Sequence, residues 1–337
     1  MTPALHVVTP GLWTTVQDLG RPGFQHLGIP VGGALDPISL RAANLLVGNE
    51  PGAAALEVAY LGPTLRVEAD HIRLSIVGAK AAVEILPDVG ATSGERIEAL
   101  RSARLRRGEV LRIGALTGGS VLYVAVERGF AIAPVLGSVS TCVRGGFGGW
   151  QGRKLMAGDR LPLCKAIASA REDVRLEGFD PATPRRLRVI PGPQNELFSE
   201  QDLATFFAHQ YTVSAHSDRV GMRLIGPALA HNRGSDLISD AVAPGSIQIP
   251  GGGQPIVALA DRQTTGGYPK IATVISADLP ALGRLAAGAT IGFEPVTLEL
   301  AEAARRQLLG EIASLHQRIV PLRRSESAVS LAAPAAA

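Results

Sequence analysis

The chain has 337 residues, a formal net charge of +3 at pH 7 and a sequence pI near 9.1. Only 4% of its residues are aromatic, which argues against a nucleic-acid-binding protein, because single-stranded nucleic acids are commonly bound by stacking on aromatic side chains. The length allows one large domain or two smaller ones, each with its own core.

Targeting and redox signals are also few. The start of the chain lacks the charged and apolar regions of a signal peptide, and no run of about 18 apolar residues could span a membrane. Two cysteines, Cys142 and Cys164, fit a reduced protein better than a disulfide scaffold. We therefore expect a cytoplasmic protein with no membrane partner.

The first half of the chain alternates short apolar segments with turn signals. Their spacing predicts short strands of a β-barrel or sandwich. These segments are Leu5–Val8, Thr64–Val67, Ile72–Val77, Ala81–Leu86, Val110–Ile113 and Val121–Val126. One helix is predicted among them, with Asp36 as its N-cap, Pro37 at the first helical position and Gly48 at its end.

A charged, proline-containing segment from Arg171 to Pro184 is the best candidate for a linker. It divides the chain into a predicted N-terminal lobe, residues 1–184, and a C-terminal lobe, residues 185–320. The second lobe contains predicted helices at Glu200–His209 and at about Leu298–Ile319. Residues 321–337 are predicted to be a disordered tail.

A polar loop between two apolar runs is the strongest local signal of a site. Ile256–Ala260 and Ile271–Ile275 are predicted buried strands, and the loop between them reads DRQTTGGYPK. Rigid strands on both sides would hold its donors and acceptors in place for a small polar ligand. The alternative is an ordinary hairpin with a Gly-Gly turn.

Three further segments accompany this loop: TTVQDLGRPG at 14–23, LGSVST at 136–141 and SDRVGMRLIGP at 217–227. Together with ADRQTTGGYPKIATVISAD at 260–278, they resemble the allophanate-hydrolase-subunit-2 type of carboxyltransferase-like proteins. That family includes the C subunit of 5-oxoprolinase, the Kip antagonist of a sporulation kinase inhibitor, and half of the urea carboxylase carboxyltransferase domain. The resemblance implies a mainly β fold with some α, in which two cyclophilin-like, β-barrel-like lobes carry a few helices.

The resemblance also separates branches of the family. In urea carboxylase the second loop looks more like D-G-P-S-L-G-G-F, whereas here Asp261 and the Gly266-Gly267 pair enclose a different sequence. This difference weighs against a urea substrate. Val139 stands where the resemblance leads us to expect an arginine, so an anion-binding role of that arginine does not carry over.

The resemblance implies that this chain is the C subunit of an ATP-dependent 5-oxoprolinase, a cyclic-amide hydrolase that converts 5-oxoproline to glutamate. It would act in a complex with a LamB/YcsF-like A subunit and a KipI-like B subunit. One alternative is a carboxyltransferase half-domain of a biotin-dependent urea or amide carboxylase. Another is a non-catalytic KipA-type antagonist that binds a KipI-like partner.

The candidate site residues come from these motifs. Asp261 is expected to act as a base or to orient a ligand amide, unless it merely caps the loop, and Lys270 is the second candidate catalytic group. Arg219 and Arg262 could hold a carboxylate or phosphate, unless they form internal salt bridges. The other expected substrate-binding residues are Gln17, Asp18, Arg21, Gln254, Gln263, Thr264, Thr265, Gly266, Gly267 and Tyr268.

Cofactor signals are mostly negative. The chain has no P-loop, no Met-Lys-Met biotin-attachment site and no histidines with metal-ligand spacing. We therefore expect no metal site and no biotin on this chain. ATP is expected from the resemblance alone, at a site shared with a partner protein of the complex.

Overall fold

The computed structural model describes residues 2–180, 183–232 and 237–322. It is mainly β with few helices, which confirms the predicted fold class. The first lobe is built on one curled sheet of nine strands: β1 (Ala4–Thr9), β2 (Trp13–Gln17), β3 (Ala55–Ala59), β4 (Thr64–Val67), β5 (His71–Leu86), β6 (Glu95–Arg96), β7 (Ser102–Arg106), β8 (Val110–Val126) and β9 (Arg160–Pro162).

The two long strands β5 and β8 make this sheet curl. They pair antiparallel along most of their length, with register shifts between Gly78 and Lys80 and between Ala81 and Val83. Such bulges bend a strand and increase its twist. The sheet order is β2-β3-β8-β4-β1-β9, and β5 additionally pairs with β6 and β7. Apolar side chains, nearly all of them aliphatic, form the core of this lobe.

The second lobe is a closed barrel of seven strands in the order β11-β18-β15-β16-β13-β12-β19. A parallel pair between β11 and β19 closes it, whereas its other pairs are antiparallel. The strands are β11 (Arg186–Pro191), β12 (Tyr211–Val213), β13 (Gly221–Ile225), β15 (Ser246–Gln248), β16 (Ile256–Ala258), β18 (Lys270–Val274) and β19 (Thr290–Pro295).

Four short strands form two small ribbons outside these sheets. β10 (Val174–Leu176) pairs with β20 (Ile319–Pro321), and β14 (Asp240–Ala241) pairs with β17 (Thr265–Gly266). The second ribbon belongs to the loop that the sequence singled out, and it lies beside Lys270 of the barrel, whose side chain pairs with Asp240.

The described residues also form four α-helices: α1 (Pro37–Leu46), α2 (Glu200–Ala208), α3 (Leu279–Arg284) and α4 (Leu298–Ser314). The carboxylate of Asp36 accepts hydrogen bonds from the backbone N–H groups of Ile38 and Ser39, as predicted for the N-cap of α1. The last predicted helix is shorter than expected, because a 3-10 turn follows at Leu315–Arg318 and the chain then enters β20.

Residues 171–176 of the segment predicted as a linker are packed against the first lobe. The segment contains β10. Asp173, the residue before β10, forms an ion pair with the fully buried Arg73 at 2.8 Å. Arg73 also pairs with Glu127 at 2.7 Å and donates a hydrogen bond to the carbonyl of Arg171. Charge and proline content predicts a linker here, and one of its charged residues, Asp173, is a partner that the buried Arg73 requires.

The Arg73–Glu127 pair predicts a pH dependence of stability. Burial alone would raise the pKa of Glu127, but hydrogen bonds from Ser169 and the charge of Arg73 outweigh burial and hold the pKa below 4.5. The ionised carboxylate therefore stabilises the folded state above about pH 4.5, and this contribution is lost as the pH falls through the folded-state pKa. We expect the thermal midpoint of Glu127→Gln to vary less between pH 6 and 3 than that of the wild type. The exposed control Glu50→Gln should keep the wild-type slope, and equal slopes for all three proteins would contradict the assignment.

The two lobes meet along α1, α3 and the start of the barrel. The N-cap carboxylate of Asp36 pairs with Arg284 of α3 at 3.2 Å, and Ser120 of β8 donates to the carbonyl of Gly283 at 2.6 Å. Leu35 packs against the barrel core and also against the cluster around α1. In the described part of the chain, no helix is long and apolar enough to cross a membrane.

The predicted boundaries of the lobes stay predictions, although the barrel strands all lie between residues 186 and 295. Pro321, the first residue of the predicted tail, ends β20. The rest of that tail, from residue 323 onward, lies outside the described residues.

Candidate active site between the two lobes

The loop after β2 is organised by the carboxylate of Asp18. It accepts hydrogen bonds from the N–H of Gly20 at 2.7 Å, from the hydroxyls of Ser138 and Ser140 at 2.7 and 2.6 Å, and from the N–H of Val139 at 2.7 Å. Two sequence motifs, TTVQDLGRPG and LGSVST, are thus joined through one side chain. With both oxygens engaged, Asp18 shapes the loop.

Arg21 follows in the same loop and is buried, with 1% of its surface exposed. Its Nη2 donates to the carbonyl of Ser140, its Nε donates to the carbonyl of Val135 at 3.4 Å, and its guanidinium lies 4.9 Å from the ring centre of Phe147. Among the described residues, its Nη1 has no hydrogen-bond partner. Burial lowers the pKa of Arg21, while nearby acidic groups, including Asp18 and Asp261, oppose that effect. Arginine nevertheless stays charged in proteins, so a buried cationic donor is available.

Arg219, in the turn before β13, links the two lobes. It holds Asp261 with two hydrogen bonds, from Nε to Oδ2 at 2.8 Å and from Nη2 to Oδ1 at 3.1 Å. It also pairs with Glu57 of the first lobe and donates to the carbonyl of Gly33 at 2.6 Å. Burial would lower the pKa of Arg219, but the carboxylates of Asp261 and Glu57 outweigh burial and raise it. All three nitrogens of this guanidinium are therefore engaged.

Glu57 and Tyr123 complete this arrangement, and sequence reasoning missed both. The hydroxyl of Tyr123 donates to Glu57 Oε2 at 2.6 Å and accepts from the N–H of Asp36 at 2.8 Å. Burial and the charges of Glu57 and Asp36 raise the pKa of Tyr123, so its hydroxyl keeps its proton. A glutamate inside the apolar strand ALEVA was the available signal for Glu57. We call Glu57, Tyr123, Arg219 and Asp261 the interlobe network.

Gly32 leaves a gap beside this network. A Cβ atom placed on Gly32 would lie 3.3 Å from Arg21 Nη1 and 3.5 Å from Asp261 Oδ1. The residue has φ +66°, a backbone conformation that favours glycine, and its N–H donates to the carbonyl of Ala260 at 3.1 Å. A free cationic donor and a fixed carboxylate oxygen therefore flank a space without a side chain.

Arg262 lies next to Asp261 in sequence but contacts other groups. Its Nε donates to the carbonyl of Val242 at 2.9 Å, and the side chain borders a cavity of about 230 Å³ that Gly32 also lines. A second cavity of about 230 Å³, lined mainly by apolar side chains, lies on the Glu57 side of Arg219. The two cavities share Leu35, Leu259 and Leu282 in their walls.

Lys270 lies in a different place, in β18 on the barrel. Its side chain is 3% exposed, and Nζ pairs with Asp240 at 3.2 Å. Gln194 accepts from the N–H of Lys270 at 3.2 Å, and Gln248 is opposite Lys270 in the β15–β18 register. The two ends of the predicted loop therefore carry separate polar groups, Asp261 between the lobes and Lys270 beneath the β14–β17 ribbon.

The remaining predicted site residues are distributed as follows. Gln17 is buried in β2 and donates to Thr15 and to the carbonyl of Thr141. Gln254 accepts a hydrogen bond from the N–H of Gly226 and donates one to its carbonyl, both at 3.0 Å, and so links two loops of the barrel. The other residues lie along the Asp261–Lys270 loop, in or near β17, with Tyr268 40% exposed: Gln263, Thr264, Thr265, Gly266, Gly267 and Tyr268. Among the described residues, no group of three or more metal-ligating side chains is present.

Comparison with known proteins agrees with this architecture. The family model for the carboxyltransferase domain, subdomains A and B, matches residues 27–295, which is most of the chain. The chain belongs to this carboxyltransferase family. The matched region includes Glu57, Arg219 and Asp261, so the interlobe network lies within the shared domain.

Relatives of two kinds are found within the family. The chain is 38% identical to the C subunit of 5-oxoprolinase from Escherichia coli, over 90% of this chain and 94% of that protein. It is 36% identical to the C subunit of 5-oxoprolinase from Haemophilus influenzae, over 87% and 91% of the two chains. The solved structure of K. lactis urea amidolyase superposes with a TM-score of 0.82 at 27% identity, covering 95% of this chain. This chain spans only 21% of the urea amidolyase chain.

Proposed function

We propose that this chain is the C subunit of an ATP-dependent 5-oxoprolinase and acts with the A and B subunits to hydrolyse 5-oxoproline to glutamate. The observation that carries the proposal is the end-to-end match to two proteins of that name, which this chain covers to 94% and 91% of their lengths. Urea amidolyases also match, but this chain covers only 17% of the Saccharomyces cerevisiae protein. The C subunits, which this chain covers almost fully, are therefore the fuller match.

The gap at Gly32 fits the chemistry of a lactam. Asp261 Oδ1 would accept the lactam N–H, because Arg219 holds this carboxylate in a fixed orientation. Arg21 Nη1 would donate to the carbonyl oxygen, where negative charge develops when water adds to an amide. Donors that are fixed before the reaction stabilise such charge without reorganisation. Asp261 and Arg21 are therefore the proposed groups that contact the amide edge.

Lys270 has a different part in this proposal. Because its Nζ is buried beneath the β14–β17 ribbon and paired with Asp240, we assign it to holding the Asp261–Lys270 loop in place. Gln263, Thr264 and Thr265 belong to that loop, and their proposed contacts with substrate depend on its position.

The two cavities beside the interlobe network do not fit a complete ATP site. The two cavities beside the interlobe network are about 230 Å³ each, below the roughly 300 to 1,000 Å³ typical of pockets for ligands of drug size. Their walls are largely apolar, whereas a triphosphate requires many N–H donors or cations. We propose that a partner protein supplies most of the nucleotide site, and we derive no step through ATP.

The alternative function is a carboxyltransferase half-domain that acts on urea or a related amide. It is favoured by the TM-score of 0.82 to K. lactis urea amidolyase and by 30% identity to the S. cerevisiae urea amidolyase. This alternative requires a partner that carries biotin.

The proposed function is tested by reconstitution. Conversion of 5-oxoproline to glutamate is measured with ATP and the cognate A and B subunits, in the presence and in the absence of this chain. We expect glutamate only when all three proteins are present. If an assembled and folded complex makes none, but a biotin-carrying partner supports carboxylation of urea, the alternative function replaces this proposal.

Filling the gap at Gly32 should impair the assembled complex. In Gly32→Ala the added methyl lies between Arg21 Nη1 and Asp261 Oδ1, so we expect KM for 5-oxoproline to rise about 10-fold or more. The control is Gly28→Ala, because Gly28 has a similar φ of +77° but open space around its Cβ position. Both substitutions carry a backbone cost of about 1–2 kcal/mol, so the difference between them isolates the filled gap. Equal KM values for the two variants would contradict this placement of the substrate.

A further inference from the structure

The cavity beside Gly32 has one polar side chain in an otherwise apolar wall. Its volume is about 230 Å³, and both lobes contribute to it. Among the described residues that line it, Arg262 carries the only charged or hydrogen-bonding side chain. The others are glycine, alanine, proline, valine or leucine, including Val31, Gly32, Pro244 and Leu259. A ligand in this cavity would find apolar walls and a single cationic contact.

Arg262 is buried and has no counterion in the part of the chain that the structure describes. It is 6% exposed, Nε donates to the carbonyl of Val242 at 2.9 Å, and Nη1 lies 3.5 Å from the carbonyl of Leu259. No carboxylate of the described residues lies within 4.0 Å of its guanidinium nitrogens, and burial lowers the pKa of Arg262. Arg219 and Arg73, by comparison, are each neutralised by two carboxylates. Arg262 therefore retains an uncompensated positive charge beside a cavity.

An uncompensated buried charge is costly to the folded protein, and an anion that enters the cavity would relieve this cost. A guanidinium presents parallel N–H donors that match a carboxylate in two-pronged geometry. Arg219 cannot take this part, because Glu57, Asp261 and the carbonyl of Gly33 already engage its nitrogens.

We infer that Arg262 binds the carboxylate of the substrate and selects small ring acids over the corresponding neutral amides. The apolar walls at Val31 and Leu259 would contact the ring, and Gly32, which lines this cavity, lies beside Asp261 and Arg21. The ligand class is a small cyclic molecule with a carboxylate at one end and an amide edge at the other. The carboxylate part follows from the geometry, and the identity of the ring rests on the proposed function.

The test compares acids with their amides on the assembled three-protein complex by titration calorimetry. One pair of probes is 5-oxoproline and 5-oxoprolinamide. The second pair, cyclopentanecarboxylate and cyclopentanecarboxamide, lacks the lactam and tests the carboxylate contact alone. We expect the wild-type complex to bind each acid about 30-fold or more tightly than its amide, since the loss of one partner of a buried charge pair has effects of this size or larger.

Arg262→Met should abolish the preference for the acids, and Arg262→Lys should keep part of it. We expect the thermal midpoint of the isolated Arg262→Met chain to be unchanged or raised, because an apolar side chain of similar size replaces an unpaired charge. A wild-type complex without acid preference would overturn the inference, as would an Arg262→Met complex that keeps it. A complex that hydrolyses 5-oxoproline with an unchanged KM in Arg262→Met refutes the inference but leaves the proposed function standing. A complex that prefers the cyclopentane acid but does not hydrolyse 5-oxoproline refutes the proposed function alone.

Discussion

Asp261→Asn is expected to reduce kcat/KM of the assembled complex for 5-oxoproline about 100-fold, a loss typical of one preorganised polar group in an active site. Asp261 accepts from Arg219 with both oxygens, and Oδ1 also faces the gap that Arg21 Nη1 borders. An asparagine has one acceptor oxygen and one NH2 group. Its NH2 group would therefore face the N–H donors of Arg219 or of Arg21, and that hydrogen bond would be lost. The measurement is steady-state kinetics of glutamate formation.

The control for this prediction is Asp278→Asn. Asp278 is also a buried carboxylate held by an arginine, with bonds of 2.6 and 3.1 Å from Arg188, but it does not line the cavity at Gly32. We expect this variant to lose stability and to keep near wild-type kcat/KM. Equal losses of activity in the two variants would show that Asp261 acts only through folding.

Arg219→Met is expected to lower the free energy of unfolding by about 3–5 kcal/mol, because it leaves Glu57 and Asp261 buried and uncompensated. The measurement is urea denaturation of the isolated chain. The control is Arg223→Met, which changes an exposed arginine of the neighbouring strand, β13, and should alter stability by less than about 0.5 kcal/mol.

A second substitution separates charge from packing in this prediction. Adding Glu57→Gln to Arg219→Met removes one of the stranded charges, so the double variant should regain part of the lost stability. A loss below about 1 kcal/mol in Arg219→Met would contradict the account, since it would place the three charges in contact with water.

The parts of the fold that local signals determine could be predicted from the sequence. The first helix begins after Asp36 because a carboxylate and a following proline suit a helix N-terminus, and the structure shows this cap. The strands are also local, because short apolar segments between turn residues predict them. The final helix ends earlier than its apolar spacing indicates, because residues 319–321 pair with β10, which is more than 140 residues away. No local pattern contains that partner.

In the candidate site, too, the sequence identifies some residues but not the distant partners that hold them. Asp18, Arg21, Arg219 and Asp261 were identified as candidates because charged side chains in glycine-rich loops are visible in the sequence. Their partners were not, since Glu57 lies 162 residues from Arg219 along the chain. The sequence also left open whether Arg219 or Arg262 would hold an anion. Only the distribution of buried carboxylates distinguishes the neutralised arginine from the uncompensated one.

The most direct test of the central claim is a structure of the assembled three-protein complex with 5-oxoproline and a non-hydrolysable ATP analogue. The account predicts the ring in the cavity between the two lobes of this chain, with its carboxylate on Arg262 and its amide edge between Asp261 and Arg21. A 5-oxoproline bound wholly within the A and B subunits, with the cavity at Gly32 empty, would contradict it.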